Sequence, residues 1–182
     1  MVPSGSRRAE IGTNLIVTSA KGLEAKASAE FKEIALLSGI RKVTIDRSAY
    51  DGVIEVDVED PRALLSFITD FVRSEPFKVR FIMRIIPVDR VVDTKLEDIV
   101  DAVKDLSSVI GPGETFRITV EGRDSPYPER KLIGAIADAV DRKVSLDSPD
   151  KVVLLEIFGE YSGVSVISPH DIVSIQKLKR AA

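Results

Sequence analysis

The chain has 182 residues, 44% of them apolar, with 26 basic and 29 acidic side chains, a net charge of −3, one His and no Cys. That length and apolar content support one domain or two small ones. The lack of Cys excludes disulfides, thiol catalysis and Cys-ligated zinc or iron–sulfur sites, and a single His excludes His-rich metal sites and most Ser–His chemistry.

No apolar run reaches the roughly 18 residues needed to cross a bilayer, and the opening MVPSGSRRAE is basic without a following apolar stretch. The default expectation is a soluble cytoplasmic protein. A net negative charge rules out a uniformly basic coat, so any nucleic-acid surface must be local.

Residues 1–13 read as a flexible lead, with Arg7 and Arg8 as loose charge. Asn14 to Ser19 is β-branched and apolar enough for a central strand. From Lys21 to Ser38, Leu23, Ala27, Phe31, Ile34 and Leu37 recur at helical spacing before Gly39. Val43 to Arg47 predicts a second strand, and Asp51-Gly52 is a hairpin signal leading into the alternating segment Val53 to Val58. Asp60-Pro61 marks the start of a helix with Leu64, Leu65, Ile68 and Phe71 on its buried stripe, and Pro76 lies beyond its end. VRFIMRIIPV then predicts a strand. The order βαββαβ over residues 14 to about 88 is that of a ferredoxin-like arrangement.

In that last strand Lys78, Arg80, Arg84 and Arg90 share one parity with Ile82 and Ile86, while Val79, Phe81, Met83 and Ile85 take the other. One face is expected to be apolar and the other to carry a row of cations, serving either as a plain solvated face or as a binding one. Asp93 or Thr94 is a plausible cap for a helix from Lys95 to Val109, which Gly111-Pro112-Gly113 stops.

Thr115 to Lys131, TFRITVEGRDSPYPERK, is the most informative stretch. Phe116, Ile118 and Val120 alternate with Arg117, Thr119 and Glu121, as in a strand with one buried face. Gly122, Pro126 and Pro128 end ladder pairing, and Pro128 suits the first turn of a helix running from Glu129 to Arg142. Arg123, Arg130 and Lys131 fall at the strand exit and the helix N-terminus, where free backbone N–H groups favour an anion. An ordinary solvated loop is the competing explanation. Lys151 to Phe158 is a nearly continuous apolar strand, Tyr161-Ser162-Gly163 a turn, and Val164 to Ile167 a shorter strand. Ser168 to Asp171, with His170 at a helix start or on the surface, opens a last helix from Ile172 to Leu178 with the basic tail Lys177, Lys179 and Arg180.

TFRITVEGR, the following helix RKLIGAIADAV, and KVSLDSPDKVVLLEIFGEYSGVSVISP together resemble a THUMP domain, a module of tRNA-modifying proteins. Within that group the chain is most similar to stand-alone THUMP proteins of archaea and eukaryotes that assist the RNA acetyltransferase making acetylcytidine in tRNA. Glu156, Ile157, Gly159 and the Gly163 to Val166 segment carry that likeness, which covers about Asp60 to Asp171. The implied fold class is α/β, a ferredoxin-like half (14–92) followed by a THUMP α/β domain (93–182).

The resemblance implies binding of the tRNA acceptor region and its single-stranded end, with the chemistry done by a separate RNA acetyltransferase and with no membrane or DNA partner. The family's basic positions carry over to Arg117, Arg123, Arg130 and Lys131, and the small loop residues Ser162 and Gly163 lie where close backbone approach is possible. Arg80 and Arg84 join them from the cationic strand, and Tyr127 is the candidate for base stacking, or else a cover for its helix. The chain has no G-x-G-x-x-G turn for a methyl donor, no Cys for sulfur transfer and no Cys/His zinc site for deamination, so a non-catalytic protein without cofactor or metal is expected. Two competing classes remain. One is a small-ligand regulatory module, since a ferredoxin-like fold does not fix function. The other is a metal-dependent hydrolase built on Glu55, Asp57, Glu59 and Asp60, which more simply form a solvated strand edge.

Overall fold

The computed structural model describes residues 12–181, so most of the expected flexible lead, residues 1–11, lies outside the described residues. In chain order the elements are β1 (Leu15–Ser19), α1 (Glu24–Leu37), β2 (Val43–Arg47), β3 (Val53–Val58), α2 (Pro61–Ser74) and β4 (Ile82–Pro87), then β5 (Arg90–Asp93), α3 (Leu96–Leu106), β6 (Thr115–Arg123) and α4 (Glu129–Ala139). They are followed by β7 (Lys143–Val144), β8 (Lys151–Phe158), β9 (Tyr161–Ile167), β10 (Val173–Ser174) and α5 (Ile175–Ala181). The chain divides into two compact units. One comprises the described residues up to Pro87 together with those from Asp171, and the other is Val88–His170.

In the first unit the strands run β10-β4-β1-β3-β2, all neighbours antiparallel. The central order β4-β1-β3-β2, with α1 and α2 packed on a single core, is the ferredoxin-like arrangement. Ala27, Phe31 and Ile34 of α1 and Leu64, Ile68 and Val72 of α2 meet Leu15, Val17, Ile54, Val56, Ile82 and Ile85 of the sheet. Each such large apolar side chain contributes about 1.5–3 kcal/mol by leaving water. Asp60 caps α2 by accepting from Ala63 N at 3.0 Å, with Pro61 at its first position.

Two carboxylates on α1 tie the unit together through backbone amides. Glu24 accepts from Gly52 N at 2.6 Å in the β2–β3 turn and from Gly22 N at 3.1 Å, and Arg47 lies 3.7 Å away. Glu30 accepts from Arg80 N at 2.6 Å and from Phe81 N and Ile82 N at 2.9 Å, so it fixes the entry to β4. Gly52 is irreplaceable on steric grounds. Its φ is +73°, and an added Cβ would stand 2.6 Å from Ser19 O.

The cationic row expected along β4 does not form. The β1–β4 register shifts between Thr18 and Ser19, pairing them with Arg84 and Ile82 and leaving Met83 as the extra residue. Such a bulge reverses parity. Ile82 and Ile85 therefore both enter the core, and Met83 turns outward. Lys78 instead pairs with Glu75 at 3.2 Å, and Arg90, in the other unit, with Asp105 at 2.8 Å. The C-terminal segment also differs from expectation. Val173 and Ser174 pair with Ile85 and Arg84, which places β10 and α5 in the first unit and not in the second. The last helix accordingly starts at Ile175, three residues later than its spacing predicts.

The second unit has the strand order β5-β9-β8-β6-β7, with β6 parallel to β7 and β8 and the other pairs antiparallel. Phe116, Ile118 and Val120 of β6 face the core shared with Ile99 and Val103 of α3 and Leu132 and Ile136 of α4. The alternation read in β6 is thus the alternation of its two faces, with Arg117, Thr119, Glu121 and Arg123 opposite. The expected turn at Tyr161-Ser162-Gly163 falls inside β9, because Phe158 pairs with Tyr161 and the reversal is made by Gly159, at φ +60°, and Glu160. Arg90 belongs to a separate strand, β5, and not to a continuation of β4. Thr94 is not the cap of α3, since its hydroxyl is buried against Ser162 Oγ at 2.8 Å.

Candidate nucleic-acid interface

β6 leaves the sheet at Arg123, and the chain must turn within five residues to start α4. Asp124 takes a left-handed φ of 54°, uncommon without glycine. Ser125 then closes a small turn, its Oγ accepting from Tyr127 N at 3.2 Å and donating to Tyr127 O at 2.8 Å. Pro128, extended at φ −60° and ψ 141°, precedes Glu129 as the flanking residue and offers no side-chain cap. The first amides of α4 are therefore uncapped by any side chain, and Arg130 and Lys131 stand exposed in the same turn. Donors and positive charge coincide there, as an anion requires.

Register extends the corner across the sheet. Arg123 lies beside Phe158, Phe158 opposite Tyr161, and Tyr161 opposite Asp93, so one line of residues crosses β6, β8, β9 and β5. At about 4.8 Å per strand the line spans roughly 14 Å. The Arg123 guanidinium rests 5.8 Å above the Phe158 ring, which stacks on Tyr161 at 5.4 Å. Lys95 ends the line, joined to Asp93 at 3.1 Å, and that hydrogen bond and charge raise its pKa above the ordinary lysine value. Tyr127 ties the corner to the neighbouring helix. Its ring packs on the core beneath the Lys131 ammonium, 5.2 Å away, and its hydroxyl accepts from Leu96 N at 3.4 Å. Among the described residues, none of Arg123, Arg130 and Lys131 has a carboxylate partner, and each remains available to an external anion.

The remaining expected site residues are placed elsewhere. Arg117 sits six residues up β6, roughly 20 Å from Arg123 at strand rise, and donates to Leu146 O at 3.1 Å. Arg80 and Arg84 belong to the first unit. The Arg80 side chain is exposed and donates from Nε to Phe77 O at 3.4 Å, whereas Arg84 is half-buried within β4. Ser162 and Gly163, expected in a loop, both lie within β9 and are buried. Ser162 has no exposed surface and bonds Thr94, and a Cβ on Gly163 would stand 3.1 Å from Val88 Cγ1. Their small size answers a packing need. Asp93, which the sequence pattern assigned only to a helix start, lies on the line from Arg123 through strand register, a relation no local pattern carries, and Lys95 is linked to that line by its ion pair with Asp93.

No curated protein matches the sequence. The THUMP domain profile matches residues 93–167. Among solved structures, the fold is shared with PH1313 from Pyrococcus horikoshii Ot3, at TM-score 0.64 and 17% identity, covering 86% of this chain and 55% of that one. It is shared also with TrmN from Thermus thermophilus, at TM-score 0.54 and 16% identity, covering 84% of this chain and 44% of that one. A 4-thiouridine synthetase, solved as an RNA complex with bound ATP, matches at TM-score 0.54 and 13% identity over 89% of this chain and 42% of that one. The chain spans about half or less of the length of these proteins, and at such identities the likeness is one of fold.

Proposed function

We propose, from the premise that residues 93–167 are a THUMP domain, that this chain is a non-catalytic RNA-binding protein that presents the acceptor region of tRNA to a separate modifying enzyme. The observation that carries the reading is the corner at the end of β6, where exposed Arg123 leaves the strand and exposed Arg130 and Lys131 lie in the first turn of α4, whose amides no side chain caps. Cations and amides of this kind hold phosphates and 2′-hydroxyls, so recognition is of RNA shape and terminus more than of base sequence. The RNA complex of the 4-thiouridine synthetase, which shares the fold, supports RNA as the ligand class. The partner that best fits the likeness of Glu156, Ile157, Gly159 and Gly163 to Val166 is the RNA cytidine acetyltransferase, and acetylcytidine in tRNA is the product it would help to form.

Each phosphate neutralised adds roughly 0.7–0.9 to the slope of log affinity against log salt, so about five contacts predict a slope near −4. The test is tRNA binding by the combined variant R123A/R130A/K131A. All three side chains are at the surface, so folding should persist by circular dichroism while affinity falls by about 1–3 kcal/mol. Unchanged affinity in the folded variant would refute the corner as the RNA surface. Capture of an acetyltransferase from native extract, scored with the bound RNA, tests the assignment of the partner.

A further inference from the structure

The chain has seven Phe, three Tyr and no Trp. Nine of these ten rings are wholly or partly withdrawn from solvent, including Tyr127, whose hydroxyl and face are both engaged. Phe77, in the first unit between α2 and β4, is 86% exposed. An isolated exposed phenylalanine is ordinary, but the surroundings of this one are not.

The backbone on either side of Phe77 is held. Lys78 N donates to Glu75 O at 3.0 Å, and Glu30 takes the amides of Arg80, Phe81 and Ile82. Arg80 Nε folds back onto Phe77 O, and Lys179 Nζ donates to Val79 O at 2.5 Å. Lys26 lies 5.3 Å from the Phe81 ring. Lys78 is paired with Glu75, and Glu30 of α1 is taken up by the loop amides, so Lys26, Arg80 and Lys179 are the cations around residues 77–81 that have no carboxylate partner among these contacts.

We infer that Phe77 is a base-stacking platform for a single-stranded RNA segment, with Arg80 and Lys179 holding the adjacent phosphates. Every nucleobase presents a π-face to an exposed ring, and the backbone that carries the base needs cations at its flanks. A protein partner would want an apolar surround for the ring, and here it is cationic. The proposal rests on the RNA reading above and adds a second contact in the other unit, centred on an aromatic residue.

The test uses the full chain and a short oligoadenylate. F77W introduces the protein's sole tryptophan, and its emission should be quenched as the oligonucleotide binds. F77A should weaken binding of the same probe by about 5- to 150-fold, the range for losing one stacked base. Its circular dichroism should not change, because the ring buries little. F77A binding as tightly as wild type, with unquenched F77W emission, overturns the platform and leaves the ring to a protein contact. If R123A/R130A/K131A still weakens binding in that case, the RNA reading stands without it. Failure of the wild-type chain to bind either oligoadenylate or tRNA overturns both.

Discussion

Glu30→Ala should destabilise the first unit far more than its position on the outside of a helix implies. One carboxylate accepts from three successive amides, Arg80 N at 2.6 Å and Phe81 N and Ile82 N at 2.9 Å. A hydrogen bond to a charged group contributes about 1.5–3 kcal/mol net, so three taken singly would sum to roughly 4.5–9 kcal/mol. That sum is an upper bound, because the bonds share one acceptor and the amides at the loop surface can be rehydrated once the carboxylate is gone. About 2–4 kcal/mol is the expected loss. Urea unfolding followed by circular dichroism reads it as a lower midpoint for the transition of the first unit. Amide exchange reads it locally, as faster exchange at Arg80, Phe81 and Ile82 than elsewhere in the sheet. A loss under about 1 kcal/mol, with protection at those three amides intact, would refute the view that this carboxylate holds the entry to β4.

Acid should weaken the same unit through a different residue. The amides of Gly52, Glu24 itself and Gly22, with Arg47 beside them, hold the Glu24 carboxyl at about 2, below its ordinary 4.5. Because the folded state prefers the charged form, this stability is fully present above pH 4.5 and is lost as pH falls through 2. Thermal melts between pH 6 and pH 2 should show a decline that is shallower in Glu24→Gln, and parallel declines would exclude Glu24 as the cause. In the second unit, Thr94→Val or Ser162→Ala alone should cost about 1–3 kcal/mol by stranding a buried hydroxyl, and the double change less than their sum. Additive losses in a double-mutant cycle would mean that the 2.8 Å contact between the hydroxyls carries no coupling.

Periodic segments were the legible ones. Phe116, Ile118 and Val120 show a period of two because one face of β6 is covered by α3 and α4, and Leu64, Leu65 and Ile68 show a helical period because α2 covers a sheet. β7 and β10 are two residues long and β5 is four, too short for any period, and each exists only because a neighbouring edge accepts it. The bulge at Met83 was invisible for a related reason, since it is a property of the β1–β4 pair and not of either strand. At the corner, Arg123, Arg130 and Lys131 were legible because charge beside a strand end and a helix start is a local pattern. Ser162 and Gly163 are ambiguous in the sequence because small residues serve close packing as readily as they serve a ligand. Phe77 carries no such signal, because exposure is not written in a residue's identity.

The pairing of Val173 and Ser174 with β4 also sets an order of events during synthesis. All of Val88–His170 leaves the ribosome before the strand that covers the outer margin of β4. At roughly 5–20 residues per second, that margin waits about 4–17 seconds with open backbone donors and acceptors. The nascent first unit is therefore most exposed to wrong pairing while the second is being made, and its final two-residue strand acts as the latch that ends the exposure.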